Sequence, residues 1–187
     1  MKKLTRNTKA MRWLLLALVV LVAISYYTRG FRPDATTLTY PDDEVPALVT
    51  SVIDGDTFYV RIEESGLNDK VRVIGIDTPE LARGGRKTEP YARKARDRAR
   101  ELLKGKIVTL KLDAANKRNA QGPHRDKYGR LLAHVILPDG RYFSEVMLEQ
   151  GLGTAIRHFD YDPALKERFM EIESDARKRD AGMWSGK

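Results

Sequence analysis

Three short segments rich in β-branched and aromatic residues follow one another in the first half of the chain. The second alternates strictly, with Phe58, Val60 and Ile62 on one side and more polar residues on the other. This period of two is typical of a strand with one buried face. The sequence therefore predicts three closely spaced strands, at Ala47–Ile53, Thr57–Ile62 and Lys70–Ile76.

The rest of the chain combines further strand patterns with helical ones. A helix is predicted from Glu89 to Lys104, with Thr88 as its N-cap and Gly105 after its end. The other predicted elements are a strand at Lys106–Asp113, a polar loop at Ala114–Lys127, a hairpin at Gly129–Phe143 that turns at Pro138-Asp139-Gly140, and helices at Ser144–Gln150 and Pro163–Arg179. Five or six strands with about three helices predict an α+β fold that is mainly β, a small barrel with helices packed on it.

The first 28 residues have the pattern of an export segment. Residues 1–12 hold 5 basic residues and no acid, and residues 13–28 hold 16 residues without a charge. As a helix, the uncharged run spans roughly 24 Å, against about 30 Å for the core of a bilayer. We interpret it as an N-terminal hydrophobic helix that anchors the chain in a membrane; a cleaved secretory signal and a buried core helix are the alternatives. The basic flank predicts a cytoplasmic N-terminus and an exported remainder.

Composition divides the chain into four parts. After the basic cytoplasmic segment at 1–12 and the apolar segment at 13–28, residues 29–44 include Pro33 and Pro41 and are interpreted as a linker. The folded domain is predicted to cover residues 45–187, which is enough for a core of its own. The chain has no cysteine, which excludes a disulfide scaffold, a thiolate metal site and a cysteine nucleophile.

The net charge of +8 is unevenly distributed. Residues 40–82 contain 3 basic and 10 acidic residues, whereas residues 83–130 contain 16 basic and 5 acidic ones. An acid-rich stretch followed by a basic one is compatible with a cation site beside a phosphate-binding face. It is equally compatible with an ordinary charged helix surface.

Several charged residues occupy positions where strands are normally apolar. Arg72 lies in a predicted strand whose two faces both look apolar, so it needs an anionic partner or a functional role. Asp56 lies two residues before Phe58, so it falls on the same side as the apolar face of the second predicted strand. Asp77 and Glu80 flank the turn that ends the third predicted strand. Carboxylates and backbone carbonyls such as that of Thr78 are the oxygen donors that Ca²⁺ binds, although each carboxylate alone could simply cap a turn.

Three motifs occur in order within the predicted domain. They are Val52–Thr57, Val71–Glu80 and Asp126–Arg130, followed by Glu149–Leu152 and a late Trp184. Together they resemble the motifs of the staphylococcal nuclease-like family, and the resemblance covers most of residues 45–185. It implies an OB-fold, which is a five-stranded barrel, and Ca²⁺-dependent hydrolysis of phosphodiester bonds in DNA and RNA.

The resemblance also implies roles for particular residues. The implied metal ligands are two carboxylates and one backbone carbonyl, from Asp56, Asp77 and Thr78. The implied catalytic residues are two phosphate-clamping arginines and a general base, namely Arg72, Arg130 and Glu80. In the family the leaving group is the 5′ oxygen, so the products would carry a 3′-phosphate.

Substrate binding is where the sequence departs from the family. Two family tyrosines that contact the nucleotide are matched here by Arg157 and Phe159. Arg157 could bind a phosphate, and Phe159 could stack on a base. Lys127 and Tyr128 complete the predicted substrate-binding residues. The loop at 114–125 is longer and more basic than is usual in the family, and either adds substrate contacts or is disordered.

Two classes of function follow from the sequence. The first is a Ca²⁺-dependent endo- or exonuclease, held in the cell membrane through residues 13–28 with its catalytic domain outside the cytoplasm, or secreted after signal cleavage. The second is an OB-fold module that binds nucleic acid or protein without cleaving it. DNA or RNA is the predicted partner, no protein partner is predicted, and a monomer is expected. The three histidines lack ligand spacing, which disfavours a histidine metal site.

Overall fold

The computed structural model describes residues 43–82 and 84–186. The predicted basic segment at 1–12, the predicted membrane segment at 13–28 and nearly all of the predicted linker lie outside the described residues. Within the part of the chain that is described, no helix is long and apolar enough to cross a membrane.

Five strands close into a barrel, as the sequence predicts. They are β1 (Glu44–Val52), β2 (Thr57–Ile62), β3 (Asn68–Val73), β5 (Ile107–Lys111) and β6 (Leu131–Ile136), while β4 (Ile76–Asp77) and β7 (Thr154–Ala155) form a separate two-stranded sheet. The order around the barrel is β1-β2-β3-β6-β5, and all pairs are antiparallel except β3 with β6. This is the five-stranded architecture expected of an OB-fold.

Three α-helices pack on the barrel. They are α1 (Ala92–Leu103), α2 (Phe143–Glu149) and α3 (Pro163–Lys178), and short 3₁₀ turns occur at Ala114–Asn116 and Gly182–Trp184. Helix α1 turns a narrow face of alanines and leucines inward, while its arginines point outward. Helix α3 begins with Pro163 behind an Asp162 cap, whose carboxylate accepts from the amides of Ala164 and Leu165.

The core is the interior of the barrel together with the inner faces of the helices. The alternating residues of β2 point inward as predicted, and Phe58 and Val60 are fully buried. Phe143 of α2 and Phe169 of α3 are fully buried as well. Each such side chain stabilises the fold by about 1.5–3 kcal/mol through removal of apolar surface from water.

The predicted third strand, Lys70–Ile76, is wrong in its second half. Strand β3 ends at Val73, and the chain bends before β4 pairs antiparallel with β7. Gly75 has φ +88, and a Cβ at this position would collide with the ring of Phe169. Only glycine meets both conditions at no steric cost, so the bend is set by packing against a helix far along the chain. The bend carries Asp77 out of the barrel wall.

The predicted start of the first helix is also wrong. Helix α1 begins at Ala92, after Tyr91 with φ 67, and no side chain caps it. Thr88 instead accepts a hydrogen bond at Oγ1 from the amide of Ala82, 3.1 Å away. Glu89 and Glu80 exchange hydrogen bonds through their backbones and the Glu89 carboxylate. Residues 80–82 and 84–91 are therefore a loop tied to the site described below.

The predicted hairpin at Gly129–Phe143 forms only in part. Its turn at Pro138-Asp139-Gly140 is present, but the return strand is reduced to one bridge between Ile136 and Tyr142. Phe143 is the first residue of α2, because its ring is needed in the core rather than in a strand edge.

Candidate active site

Asp56 and Thr78 are brought together where β2 begins and β4 ends. Asp56 is buried, and its Oδ2 accepts from the amide of Thr78 at 2.9 Å and from the Thr78 hydroxyl at 3.0 Å. Its Oδ1 accepts from the hydroxyl of Thr57 at 3.0 Å. Because three donors converge on one carboxylate, Asp56 is held in a single orientation.

Arg72 lies between the two predicted metal-binding carboxylates. Its Nη2 is 2.7 Å from Asp77 Oδ1 and 3.4 Å from Asp56 Oδ2, while its side chain is 12% exposed. Its Nη1 donates to the carbonyls of Val73 and Ile76 at 2.6 and 2.7 Å. The anionic partners that the sequence required for this arginine are therefore Asp56 and Asp77.

Asp54 is a second buried carboxylate beside Asp56, and it was not predicted as a site residue. Burial raises its pKa to about 6, and the nearby charges of Asp56 and Glu80 add to the effect. Burial likewise raises the pKa of Asp77, with a further contribution from Asp56, against the lowering effect of Arg72. Asp54 and Glu80 thus add negative charge beside the two carboxylates that contact Arg72, and the charge of this acidic group favours binding of a cation.

The donors at this point fit a hard cation such as Ca²⁺. Asp56 and Asp77 both reach the same Arg72 nitrogen, so their oxygens converge on one small region. No cluster of three or more acidic or histidine side chains suited to a metal occurs within residues 43–82 and 84–186. A calcium ion here would therefore take its other ligands from backbone carbonyls, such as that of Thr78, and from water.

Arg130 belongs to a tight turn that Asp126 organises. Asp126 Oδ1 accepts from the amides of Tyr128 and Arg130, both at 2.9 Å, and its Oδ2 lies 2.7 Å from Arg130 Nε. Arg130 Nη1 then approaches the hydroxyl of Thr57 at 3.4 Å. Since that hydroxyl donates to Asp56, one chain of hydrogen bonds runs from Arg130 to the acidic group.

The barrel topology explains why the two arginines meet. Strands β3 and β6 pair in parallel, with Arg72 opposite Leu132. Arg130 comes immediately before β6, so it emerges at the same end of the barrel as Arg72. Thr57 pairs with Arg72 between β2 and β3, and its hydroxyl lies 3.4 Å from Arg130 Nη1.

A cleft of about 620 Å³ opens beside the arginines. Among the predicted site residues, those that line it are Arg72, Arg130, Lys127, Tyr128 and Phe159. Tyr128 and Phe159 are 71% and 48% exposed, which leaves their rings available to a ligand. Asp54, Asp56, Asp77 and Glu80 are not in its lining, and Asp56 and Asp77 adjoin it through Arg72.

The loop at 114–125 is an ordered wall of this cleft. Asp113 caps its first turn at the amide of Ala115, and Asn116 Nδ2 approaches the carbonyl of Asp160 at 3.5 Å. Among the residues that line the cleft are Asn116, Asn119 and Gln121. The Asp113 carboxylate also contacts buried His134 at 3.2 Å, so that histidine has a structural partner.

Arg157 is the predicted substrate-binding residue that lies outside the cleft lining. Its Nη2 is 2.9 Å from Glu173 Oε2, and its Nη1 donates to the carbonyl of Ala155 at 3.3 Å. Glu173 is completely buried and also binds Arg177. A buried carboxylate needs such partners, and this need draws Arg157 toward α3.

Comparison with known proteins assigns the family. The family model described as "Staphylococcal nuclease homologue" matches residues 70–186. The chain therefore belongs to the staphylococcal nuclease family.

Individual relatives agree with this assignment. The chain is 33% identical to the thermonuclease of Staphylococcus intermedius over 186 residues, which are 98% of this chain and 99% of the relative. It is 28% identical to the thermonuclease of Staphylococcus hyicus, with 99% of each chain covered. It is also 34% identical to the endonuclease YncB of Bacillus subtilis, over 71% of this chain and 58% of that protein.

Proposed function

We propose that this chain is a Ca²⁺-dependent nuclease that hydrolyses phosphodiester bonds in DNA, RNA or both. The observation that carries the proposal is the pair Arg72 and Arg130, which both line the cleft and both connect to Asp56, Arg72 directly and Arg130 through Thr57. A binding module would not require two arginines converging beside a group of carboxylates.

The arginines act on the charge that develops during hydrolysis. Negative charge accumulates on the oxygens around phosphorus in the transition state, and fixed guanidiniums stabilise it more than they stabilise the substrate. Arg72 and Arg130 are oriented beforehand by Asp77 and Asp126, so little reorganisation is needed. When bound by Asp56, Asp77 and the Thr78 carbonyl, calcium would act as a Lewis acid toward the phosphate oxygens.

Glu80 is the proposed general base. It is exposed at the edge of the acidic group, and its backbone is held by Glu89. A water molecule attacks phosphorus and transfers a proton to Glu80, while the bond from phosphorus to the 5′ oxygen breaks. The 5′ oxygen takes a proton from solvent, and the phosphate stays on the 3′ side.

The cleft walls are proposed to bind the nucleotides that flank the scissile bond. Lys127 and Tyr128 come from the turn that carries Arg130, and Phe159 lies across from them. Exposed aromatic rings beside a cationic patch favour stacking of unpaired bases. Arg157 adds positive charge near this wall while it remains paired with Glu173.

The cellular location is proposed from the sequence alone. Residues 13–28 would anchor the protein in the cell membrane and hold the catalytic domain on the outer side, or would be removed as a secretory signal. Fractionation of cells with an antibody against the domain tests this. Full-length protein in the cytosolic fraction would contradict both forms of export.

Digestion of plasmid and single-stranded DNA by the full chain tests the activity. We expect cleavage in millimolar Ca²⁺, none in EDTA, and 3′-phosphate ends in the products. Retention of labelled DNA without cleavage at any Ca²⁺ concentration would favour the non-catalytic binding module instead.

A further inference from the structure

A buried ion pair joins the loop at 114–125 to the barrel. Arg125 Nη1 is 2.7 Å from Asp69 Oδ1, and Nη2 is 2.6 Å from Asp69 Oδ2. The two side chains are 3% and 8% exposed. This two-point geometry fixes both the distance and the orientation of the guanidinium relative to the carboxylate.

Each partner lies in the same segment of the chain as one of the two arginines of the site. Asp69 precedes Arg72 by three residues on β3. The backbones of Arg125 and Leu131 form a β-bridge at the base of the turn that carries Arg130. The Arg125 Nη1 also donates to the carbonyl of Gly129 at 3.2 Å. The pair therefore ties the Arg130 turn to the strand that carries Arg72.

Stability alone does not account for this arrangement. Burial of two charges costs hydration energy that their attraction only partly offsets, and apolar residues of the same size often stabilise a fold equally well. The adjacent ladder from Val71 to Leu131 already closes this side of the barrel. What the ion pair adds is a fixed position for the turn, because its paired hydrogen bonds resist both rotation and sliding.

We propose that Asp69 and Arg125 are positioning residues that hold the guanidinium of Arg130 in register with that of Arg72. The inference rests on the proposed function, because it describes how the phosphate clamp of that same site is kept in place. Arg125 also lines the cleft, but its guanidinium is bound by Asp69 and its side chain is only 3% exposed, so the effect of both residues on hydrolysis passes through Arg130.

A double-mutant cycle tests the proposal. Arg125→Lys keeps the positive charge but loses the two-point geometry, and we expect it to lower kcat about tenfold or more and to raise KM as well. In an Arg130→Ala background the same substitution should change kcat by less than about twofold, because the group it positions is gone. An equal loss of kcat in both backgrounds would overturn the proposal.

Two controls separate positioning from general damage. Arg141→Lys is matched, since Arg141 binds Asp139 through a similar but exposed pair in a distant turn, and we expect it to leave kcat unchanged. Urea unfolding of each variant reports stability. If Arg125→Lys fails to fold, Asp69→Asn, which keeps one acceptor oxygen, takes its place in the cycle.

A binding measurement distinguishes failure of this inference from failure of the proposed function. The dissociation constant for a short oligothymidylate, measured in EDTA by fluorescence anisotropy, does not depend on turnover. Arg125→Lys should weaken binding in the wild-type background and not in Arg130→Ala. If the wild type does not cleave DNA but Arg125→Lys weakens binding only when Arg130 is present, the nuclease function alone is contradicted. If Arg125→Lys weakens binding equally in both backgrounds, the positioning role is contradicted.

Discussion

Arg72 and Asp77 face each other across the bend that ends β3, with Nη2 of the arginine 2.7 Å from Oδ1 of the carboxylate. The same nitrogen lies 3.4 Å from Asp56. A group proposed to bind phosphate is thus also the counter-ion of the groups proposed to bind calcium. Removal of the Arg72 side chain should consequently lower the activity and raise the affinity for Ca²⁺.

We expect Arg72→Ala to lower kcat by about 10²–10³-fold or more, because one donor to the transition-state charge is lost. We expect the same variant to bind Ca²⁺ more tightly, because Asp56 and Asp77 lose their positive neighbour. Turnover and calorimetric Ca²⁺ titration measure the two effects. Arg130→Ala is the matched control, which should lose turnover with little change in Ca²⁺ affinity. Weaker Ca²⁺ binding by Arg72→Ala would refute the assignment of Asp56 and Asp77 as calcium ligands with Arg72 as their counter-ion.

Asp54→Asn should stabilise the protein at neutral pH in EDTA. The folded-state pKa of Asp54 is raised from 3.8 to about 6 by burial and by Asp56 and Glu80, so the folded state holds the proton more tightly than the unfolded chain does. The stability linked to this proton is complete below about pH 4 and is lost as pH rises through 6. Asparagine removes the charge and should gain about 1–3 kcal/mol at pH 7.

Urea unfolding of wild type and Asp54→Asn at pH 4 and pH 7 measures this gain. Because the carboxyl of Asp54 is protonated at low pH, the difference between the two proteins should nearly vanish at pH 4. A gain of the same size at both pH values would mean that the charge of Asp54 is not its cause.

Glu80→Gln should remove the proposed base and leave the fold intact. Glu80 is exposed, so its neutral amide costs little stability. We expect kcat to fall by about 10²–10⁴-fold, which is the usual contribution of a general base. Urea unfolding of the variant is the control, and its midpoint should match that of the wild type. A variant that keeps the wild-type kcat would assign the base elsewhere.

Phe159→Ala and Arg157→Ala should separate stacking from charge in substrate binding. Phe159 lines the cleft and is 48% exposed. Its removal should raise KM for single-stranded DNA by the factor that corresponds to roughly 1–3 kcal/mol of lost stacking energy. Arg157→Ala should act mainly on stability, because it removes one of two arginines from the buried Glu173 carboxylate. Michaelis constants and urea midpoints of both variants test this, and a larger KM effect for Arg157→Ala would reverse the assignment.

Local periodicity was sufficient to predict the strands, and it failed where packing decides the backbone. Strand β2 has the predicted bounds because its alternation depends only on neighbouring residues. The break after Val73 depends on Gly75, whose conformation is imposed by Phe169, a contact between residues 94 positions apart. No local pattern carries that information.

The residues of the site also divide into those that the local sequence predicts and those that only tertiary packing reveals. Arg72 and Asp56 could be predicted because a charge in an apolar strand is conspicuous in a sequence. Asp54 looked like an ordinary turn residue, and its burial is visible only once Thr78 packs against Gly55, where a Cβ would collide with the threonine hydroxyl. Asp69 and Arg125 lie 56 residues apart in polar stretches, so only the closed barrel shows that they are partners.

The parallel pairing of β3 with β6 has a consequence for the order in which the site is assembled. Arg72 and Arg130 are 58 residues apart in the chain and come together only when that ladder forms. Pairing over such a separation is a late and slow event in folding compared with local turns and helices. Until that ladder forms, the two arginines are held only by separate parts of the chain, so the site is assembled with the long-range pairing of the barrel and not with its local turns.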